Sequence, residues 1–245
     1  MTRLTPETLL AELHKAADVV TRLVSTLDES SVAEPSVLPG WSRGHVLAHI
    51  AGISNAMARQ LEFAQRGETI ELYDGGPEGR TKAIELAAGH SLADHTESVG
   101  AALARALAVF DALAPGDWQA RIAYRDGTVL DGGLALWREL VIHASDLGTG
   151  RGPETWSRPF CEHLVEFLTA RVPEAYKFVL QPTGLPQMTI GSGGTSIAIT
   201  GMLTDIAAWL AGREPSLGSL RATAAADGVE LPDLLPWPAA LPAPR

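Results

Sequence analysis

The stretch LWRELVIHASDLG, residues 136–148, is predicted to form a helix with one buried face, and it indicates the fold of the whole N-terminal region. Glu139 and His143 are four residues apart, so their side chains lie on the same helix face, about 6 Å apart at Cβ. Three leucines flank this pair and indicate that the face points inward: Leu136, Leu140 and Leu147. Because an unpaired buried carboxylate is costly, Glu139 needs a partner. A shared metal ion would provide one, although a solvated ion pair or a hydrogen-bonded core histidine also fits the spacing.

A second pair of histidines lies in GWSRGHVLAHI, residues 40–50, at the start of another predicted helix. His49 falls beside Val46 and Ile53, on the edge of an apolar stripe. His45 falls in the first turn, where we expect a surface or capping residue. His49 is therefore the histidine of this pair that can face a neighbouring helix.

If these two helices pack together, His49, Glu139 and His143 supply two imidazoles and one carboxylate. Three protein ligands leave one coordination position open, which is typical of catalytic rather than structural zinc sites. Asp146, three residues after His143, can accept a hydrogen bond from a ligand imidazole, or it is simply an exposed residue near the helix end.

The rest of the N-terminal region has the same helical character, with polar outer faces and loops between apolar stripes. We predict a four-helix bundle, with a further short helix over residues 79–88 and a loop with extended pieces over 117–132. The four long helices are predicted over residues 6–27, 42–66, 91–113 and 133–147.

The pattern changes after residue 150, and we place a domain boundary there. The segments 1–150 and 151–245 are then a metal-binding helical bundle and a smaller α+β domain. The second domain is predicted to end in an irregular tail from Pro232, and GSGG at 191–194 is interpreted as a turn between strands. Its predicted helices cover residues 158–170 and 202–212, and its strands cover 176–181, 187–190, 196–200 and 220–223.

Composition excludes several classes of function. The 245 residues include 19 basic and 29 acidic side chains, a formal charge of −10 without any Lys/Arg cluster, so we expect no nucleic-acid partner. No apolar run of membrane-spanning length occurs, and charged residues interrupt the N-terminal segment where a signal peptide would be apolar. We expect a cytoplasmic protein with no membrane partner. The sequence has no coiled-coil pattern that would indicate a dimer, so we expect a monomer by default.

The remaining candidate side chains lack suitable neighbours. Cys161, the single cysteine, excludes an internal disulfide, and no adjacent His or Lys would lower its pKa, so we do not expect a nucleophile. Four histidines without comparable partners are predicted at the surface: His14, His90, His95 and His163.

Three segments carry a resemblance to a known family: LPGWSRGHVLAHIAG at 38–52, LWRELVIHASDLG at 136–148 and AWLAGR at 208–213. Together they resemble the mycothiol-dependent maleylpyruvate isomerase family. The resemblance implies a DinB-like N-terminal bundle and a C-terminal α+β domain like sterol carrier protein. It also implies zinc ligation by His49, Glu139 and His143, the set that spacing had suggested, and a catalytic role for Arg213. From spacing alone, Arg213 is interpreted as a cation at a helix C-terminus.

The function implied by the resemblance is a mycothiol-dependent cis–trans isomerisation of maleylpyruvate to fumarylpyruvate. A zinc-activated thiolate would add to the cis double bond, the resulting single bond would rotate, and the thiol would be eliminated. Arg213 would pair with a substrate carboxylate. Two alternatives share the same three ligands: a mycothiol S-transferase acting on another electrophile, and a metal- or thiol-sensing module without turnover. The residues that line a mycothiol pocket are not predicted.

Overall fold

Capping side chains fix where the N-terminal helices begin. The computed structural model describes residues 4–225 and 227–238. In it the Thr5 side chain accepts a hydrogen bond from the Thr8 backbone N–H, and Pro6 opens the first helix. Serine or threonine precedes three of the other helices in the same way. The helices of this part are α1 (Pro6–Ser25), α2 (Arg43–Ala64), α3 (Gly76–Ala87), α4 (Leu92–Asp111) and α5 (Val129–Asp146).

Helix α5 begins four residues before the predicted start at Gly133. Thr128 caps it, and the Asp131 side chain accepts a hydrogen bond from the Thr128 backbone N–H in return, which completes a capping box. Two glycines, Gly132 and Gly133, lie inside the helix, where glycine is usually unfavourable. Neighbouring side chains occupy the space that their Cβ atoms would need, since Met57 Sδ would lie 2.8 Å from a Cβ at Gly132. Close packing therefore compensates for the low helix propensity.

The long helices α1, α2, α4 and α5 form the predicted bundle. Helix α2 packs against α3, α4 and α5, and α1 packs against α4 and α5. Helix α3 begins three residues earlier than predicted, and the segment before α5 contains two 3-10 turns, with a single bridge between Arg121 and Thr128 as its extended part. Fully buried side chains from all four long helices fill the core: Leu9, Leu13, Leu47, Ile50, Met57, Leu61, Phe110, Leu136, Trp137 and Leu140.

His95 is buried, and the prediction that it lies at the surface is wrong. Only 1% of its surface is exposed, whereas His90 is exposed. His95 begins the buried stripe of α4, which continues through Val99 and Ala102 at helical spacing. Its ring forms a hydrogen bond with the backbone of Ala88, which offsets part of the cost of burying a polar ring.

The chain divides into two compact units after Gly150. The second unit contains a five-stranded sheet in the order β2-β1-β3-β4-β5, in which only β1 and β3 are parallel. The four predicted strands all form, within one residue of their predicted ends, and β5 was not predicted. The strands are β1 (Tyr176–Pro182), β2 (Met188–Gly191), β3 (Thr195–Gly201), β4 (Arg221–Ala224) and β5 (Asp227–Val229).

Two helices complete the second unit: α6 (Arg158–Phe167), which continues as a 3-10 turn, and α7 (Leu203–Leu210). Helix α7 contacts both β1 and β3, and α6 packs on α7. Phe178 and Ile199, from these two central strands, have no exposed surface. The fold is therefore the predicted one, a helical bundle followed by a smaller α+β part.

Two further predictions can be compared with this unit. The GSGG run begins at Gly191, the last residue of β2, and connects β2 to β3, as predicted. Residues 230–238 have no regular structure. The rest of the proline-rich tail, residues 239–245, lies outside the described residues. No helix in the described part of the chain combines the length and the apolar character needed to cross a membrane.

Candidate metal centre

His49, Glu139 and His143 come together in the helical bundle. Glu139 Oε2 lies 2.9 Å from His49 Nε2 and 3.1 Å from His143 Nε2. The two imidazole rings are nearly perpendicular, with centroids 4.4 Å apart. One potential ligand atom from each residue lies within 4.8 Å of the other two. The i, i+4 spacing on α5 thus places Glu139 and His143 on one face, and the packing of α2 on α5 brings His49 to them.

Arg43 joins the two helices that carry these residues. Its Nε donates a 2.8 Å hydrogen bond to the carbonyl of Leu147, and Nη2 donates one of 3.2 Å to the carbonyl of Gly148. These are carbonyl groups at the C-terminal end of α5, which the helix itself leaves without partners. Glu34 pairs with the same guanidinium at 2.6 Å. The start of α2, six residues before His49, is therefore fixed to the end of α5, four residues after His143.

Asp146 contacts Nδ1 of His143, the ring nitrogen that does not face Glu139. Its Oδ2 lies 2.8 Å from His143 Nδ1, and only 1% of the residue is exposed. The alternative of an exposed residue is therefore wrong, and Asp146 lies where an acceptor for a ligand imidazole would be expected. Burial alone would lower the pKa of His143, but hydrogen bonds with Asp146 and Glu139 outweigh burial and raise that pKa above its ordinary value.

The other two residues have pKa values shifted in the directions that metal ligation requires. Burial lowers the pKa of His49, which is 3% exposed, so its ring is neutral at pH 7. Burial alone would raise the pKa of Glu139, but hydrogen bonds from His143 and His49 hold it well below the ordinary value. A neutral imidazole and an ionised carboxylate are the forms that bind metals.

The chemistry of these donors fits a divalent ion such as zinc. Two imidazole nitrogens and one carboxylate oxygen form a common zinc ligand set, which leaves one position for an external ligand. The His143 ring also lies between two carboxylates. That of Glu139 is partly buried, and that of Asp146 is almost fully buried. Without a metal, a proton on His143 compensates part of that negative charge. A divalent cation would compensate more of it, at the cost of displacing the proton.

The remaining predicted residues lie elsewhere. His45 caps α2, because its Nδ1 accepts a 3.1 Å hydrogen bond from the Ser42 backbone N–H, as the capping alternative predicted. Arg213 belongs to the second unit, just after α7, where its Nη1 donates a 3.0 Å hydrogen bond to the carbonyl of Ala211. Cys161 is fully buried, and burial raises the pKa of its thiol to about 12, which agrees with its exclusion as a nucleophile.

Sequence reasoning missed three residues beside the metal centre. Arg80, on α3, has Nη2 at 3.1 Å from His49 Nδ1. Trp41 presents its ring at 5.8 Å from the His49 ring, edge to face. Arg43 has the helix-joining role described above. Trp41 and Arg43 stand in the same GWSRGH segment as the histidines, so proximity in sequence was an available signal, whereas nothing local marks Arg80.

Comparison with known proteins supports the fold and identifies the family. The sequence matches the family model of the mycothiol maleylpyruvate isomerase N-terminal domain over residues 13–148, and that of the MDMPI C-terminal domain over residues 155–236. A crystal structure of the mycothiol-dependent maleylpyruvate isomerase is similar in fold, with a TM-score of 0.83 and 22% sequence identity, and the match covers 96% of this chain and 99% of that one. The structure of a histidine-to-alanine mutant of that isomerase matches with a TM-score of 0.82, 21% identity and the same coverage. No protein with a curated function matches the sequence.

Proposed function

Because the chain belongs to the mycothiol maleylpyruvate isomerase family, we propose that it is a zinc- and mycothiol-dependent isomerase that converts maleylpyruvate into fumarylpyruvate. The observation that carries this proposal is the cluster of His49, Glu139 and His143, whose potential ligand atoms lie within 4.8 Å of one another. With three protein ligands, the cluster keeps one position for an external sulfur.

Bound zinc would supply a thiolate at neutral pH, which can add to the cis double bond, permit rotation and leave again. The protein's own residues prepare the site for this chemistry. His49 offers a neutral imidazole nitrogen, and Asp146 orients the ring of His143. Glu139 contributes a negative charge, which keeps a zinc–thiolate pair close to neutral. Cys161, the chain's single cysteine, cannot supply the sulfur because it is buried, so the thiol must come from solution.

We further propose that Arg213 contributes to turnover and not to metal binding. The family resemblance of the AWLAGR segment supports this role, and so does the chemistry of a guanidinium, which forms paired hydrogen bonds with a carboxylate of the kind that maleylpyruvate carries. Arg213 is in the second unit, whereas the three metal-binding candidates are in the first. Its removal should therefore leave metal content unchanged.

The test is an isomerisation assay on metal-analysed protein, with maleylpyruvate as substrate and with or without mycothiol. The proposal predicts turnover only with the thiol, and many product molecules formed for each thiol molecule present. A transferase would instead consume one thiol for each electrophile and accumulate the adduct. A sensing module would bind metal and show neither reaction. Either of these two outcomes would contradict the isomerase assignment.

A further inference from the structure

Arg80 is a half-buried cation that contacts the His49 ring of the metal centre. Its Nη2 lies 3.1 Å from His49 Nδ1, and its guanidinium carbon lies 6.0 Å from the centroid of the Tyr73 ring. Among residues 4–225 and 227–238, no salt bridge joins Arg80 to a carboxylate. Arg43, Arg59 and Arg105, in the same unit, each have a carboxylate partner at 2.6 or 2.7 Å: Glu34, Asp74 and Glu62. The charge of Arg80 is therefore available to a ligand.

Metal binding would also free the Arg80 N–H group that now donates a hydrogen bond to His49 Nδ1. A neutral imidazole has one N–H and one acceptor nitrogen, and in this structure Nδ1 of His49 accepts from Arg80. Nε2, which faces Glu139 at 2.9 Å, is the nitrogen on the metal side. When Nε2 binds a metal, the ring proton must be on Nδ1, which then cannot accept from a guanidinium. Arg80 would then have an N–H group without its partner, one imidazole ring away from the metal-side nitrogen.

The balance of charge indicates what that group would bind. A divalent ion, Glu139 and an external thiolate sum to zero, and Asp146 adds one negative charge close by. An electrophile that carries carboxylates would meet no attraction at such a site without a further cation. Arg80 supplies that cation from α3. Tyr73 adds a neutral donor, since burial raises the pKa of its hydroxyl to about 12 and keeps it protonated.

We propose that Arg80 binds a carboxylate of the substrate and makes the site selective for anionic electrophiles over uncharged ones. A planar guanidinium presents paired donors that match a carboxylate, so the interaction fixes orientation as well as charge. This inference rests on the proposed function for the identity of the electrophile. It concerns a residue of the first unit, separate from the role assigned to Arg213.

The experiment compares zinc-loaded wild-type protein with the Arg80→Gln, Arg80→Lys and Arg59→Gln variants. Arg59→Gln is the matched control, because it removes the same charge from an arginine that pairs with Asp74. Calorimetry measures the binding of maleate, a dicarboxylate probe, and metal analysis measures bound zinc. A second assay follows the addition of mycothiol to dimethyl maleate, an uncharged electrophile.

We expect Arg80→Gln to retain one equivalent of zinc, to bind maleate about 10- to 100-fold more weakly and to react with dimethyl maleate at the wild-type rate. Arg80→Lys should lie between the two, and Arg59→Gln should match wild type. Maleate binding that is absent in wild type or unchanged in Arg80→Gln would overturn the inference. So would loss of zinc from Arg80→Gln, since Arg80 would then only support His49. If the Arg80 variants behave as expected but wild type does not isomerise maleylpyruvate, the proposed function fails and the carboxylate site stands.

Discussion

Replacing Asp146 by Asn should weaken zinc binding without unfolding the protein. The substitution keeps the size of the side chain but removes its charge, at an oxygen 2.8 Å from His143 Nδ1 in a residue that is 1% exposed. Removing the hydrogen-bonded partner of a metal-binding imidazole typically lowers metal affinity 10- to 100-fold. At about 1.4 kcal/mol for each tenfold change, we expect a loss of about 1.4–2.8 kcal/mol in the free energy of zinc binding.

The assay is a competition titration with a chromophoric zinc chelator at pH 8, where protons compete least for His143. Asp111→Asn is the matched control. Its carboxylate lies 2.8 Å from His14 Nε2, the same kind of contact, but both side chains are nearly half exposed. This control should bind zinc as wild type does. Equal affinity of Asp146→Asn and wild type, within twofold, would refute the argument, and so would an equal loss in both variants.

Three further predictions concern the fold, the proposed role of Arg213 and pH. Gly44→Ala should lower the free energy of unfolding by about 1–3 kcal/mol, because its Cβ would lie 2.1 Å from the carbonyl oxygen of Ala88. Gly52→Ala, in the same helix with no atom within 4 Å of the new Cβ, should raise it by about 0.5–1 kcal/mol; urea denaturation that ranks the two in the opposite order would contradict this packing. Arg213→Ala should keep one equivalent of zinc and lose isomerase turnover, so a wild-type rate removes its proposed role. Zinc affinity should fall about tenfold per pH unit below the raised pKa of His143, since one proton must leave, and a flat profile between pH 8.5 and 5.5 would show that no proton is displaced.

Helix starts were predictable where the signal is local. The side chains of Thr5 and Ser42 each accept a hydrogen bond from the backbone N–H three residues later, and α1 and α2 begin as the sequence predicted. The start of α5 was misplaced because Gly132 and Gly133 have low helix propensity. Only the packed structure shows that Met57 and Leu9 fill the space beside them. A tertiary contact here outweighs the local preference that prediction relies on.

The residues of the candidate site also differ in how far the sequence could predict them. The spacing of Glu139 and His143 determines their shared helix face without any knowledge of the tertiary structure. His49 could be added only by assuming that two particular helices pack together. Arg80 could not be predicted, because its contact with His49 joins residues 31 positions apart on different helices. His95 was predictable in principle, since the helical spacing of the apolar residues that follow it was present in the sequence.

The most direct test of the account is the zinc stoichiometry of wild type and three histidine variants, measured on protein equilibrated with zinc and then freed of unbound metal. We predict one equivalent in wild type and in His45→Ala, whose histidine caps α2 outside the ligand cluster. We predict no bound zinc in His49→Ala or His143→Ala, with circular dichroism confirming that both are folded. One equivalent of zinc retained by both of these variants would contradict the metal centre on which the proposed chemistry depends.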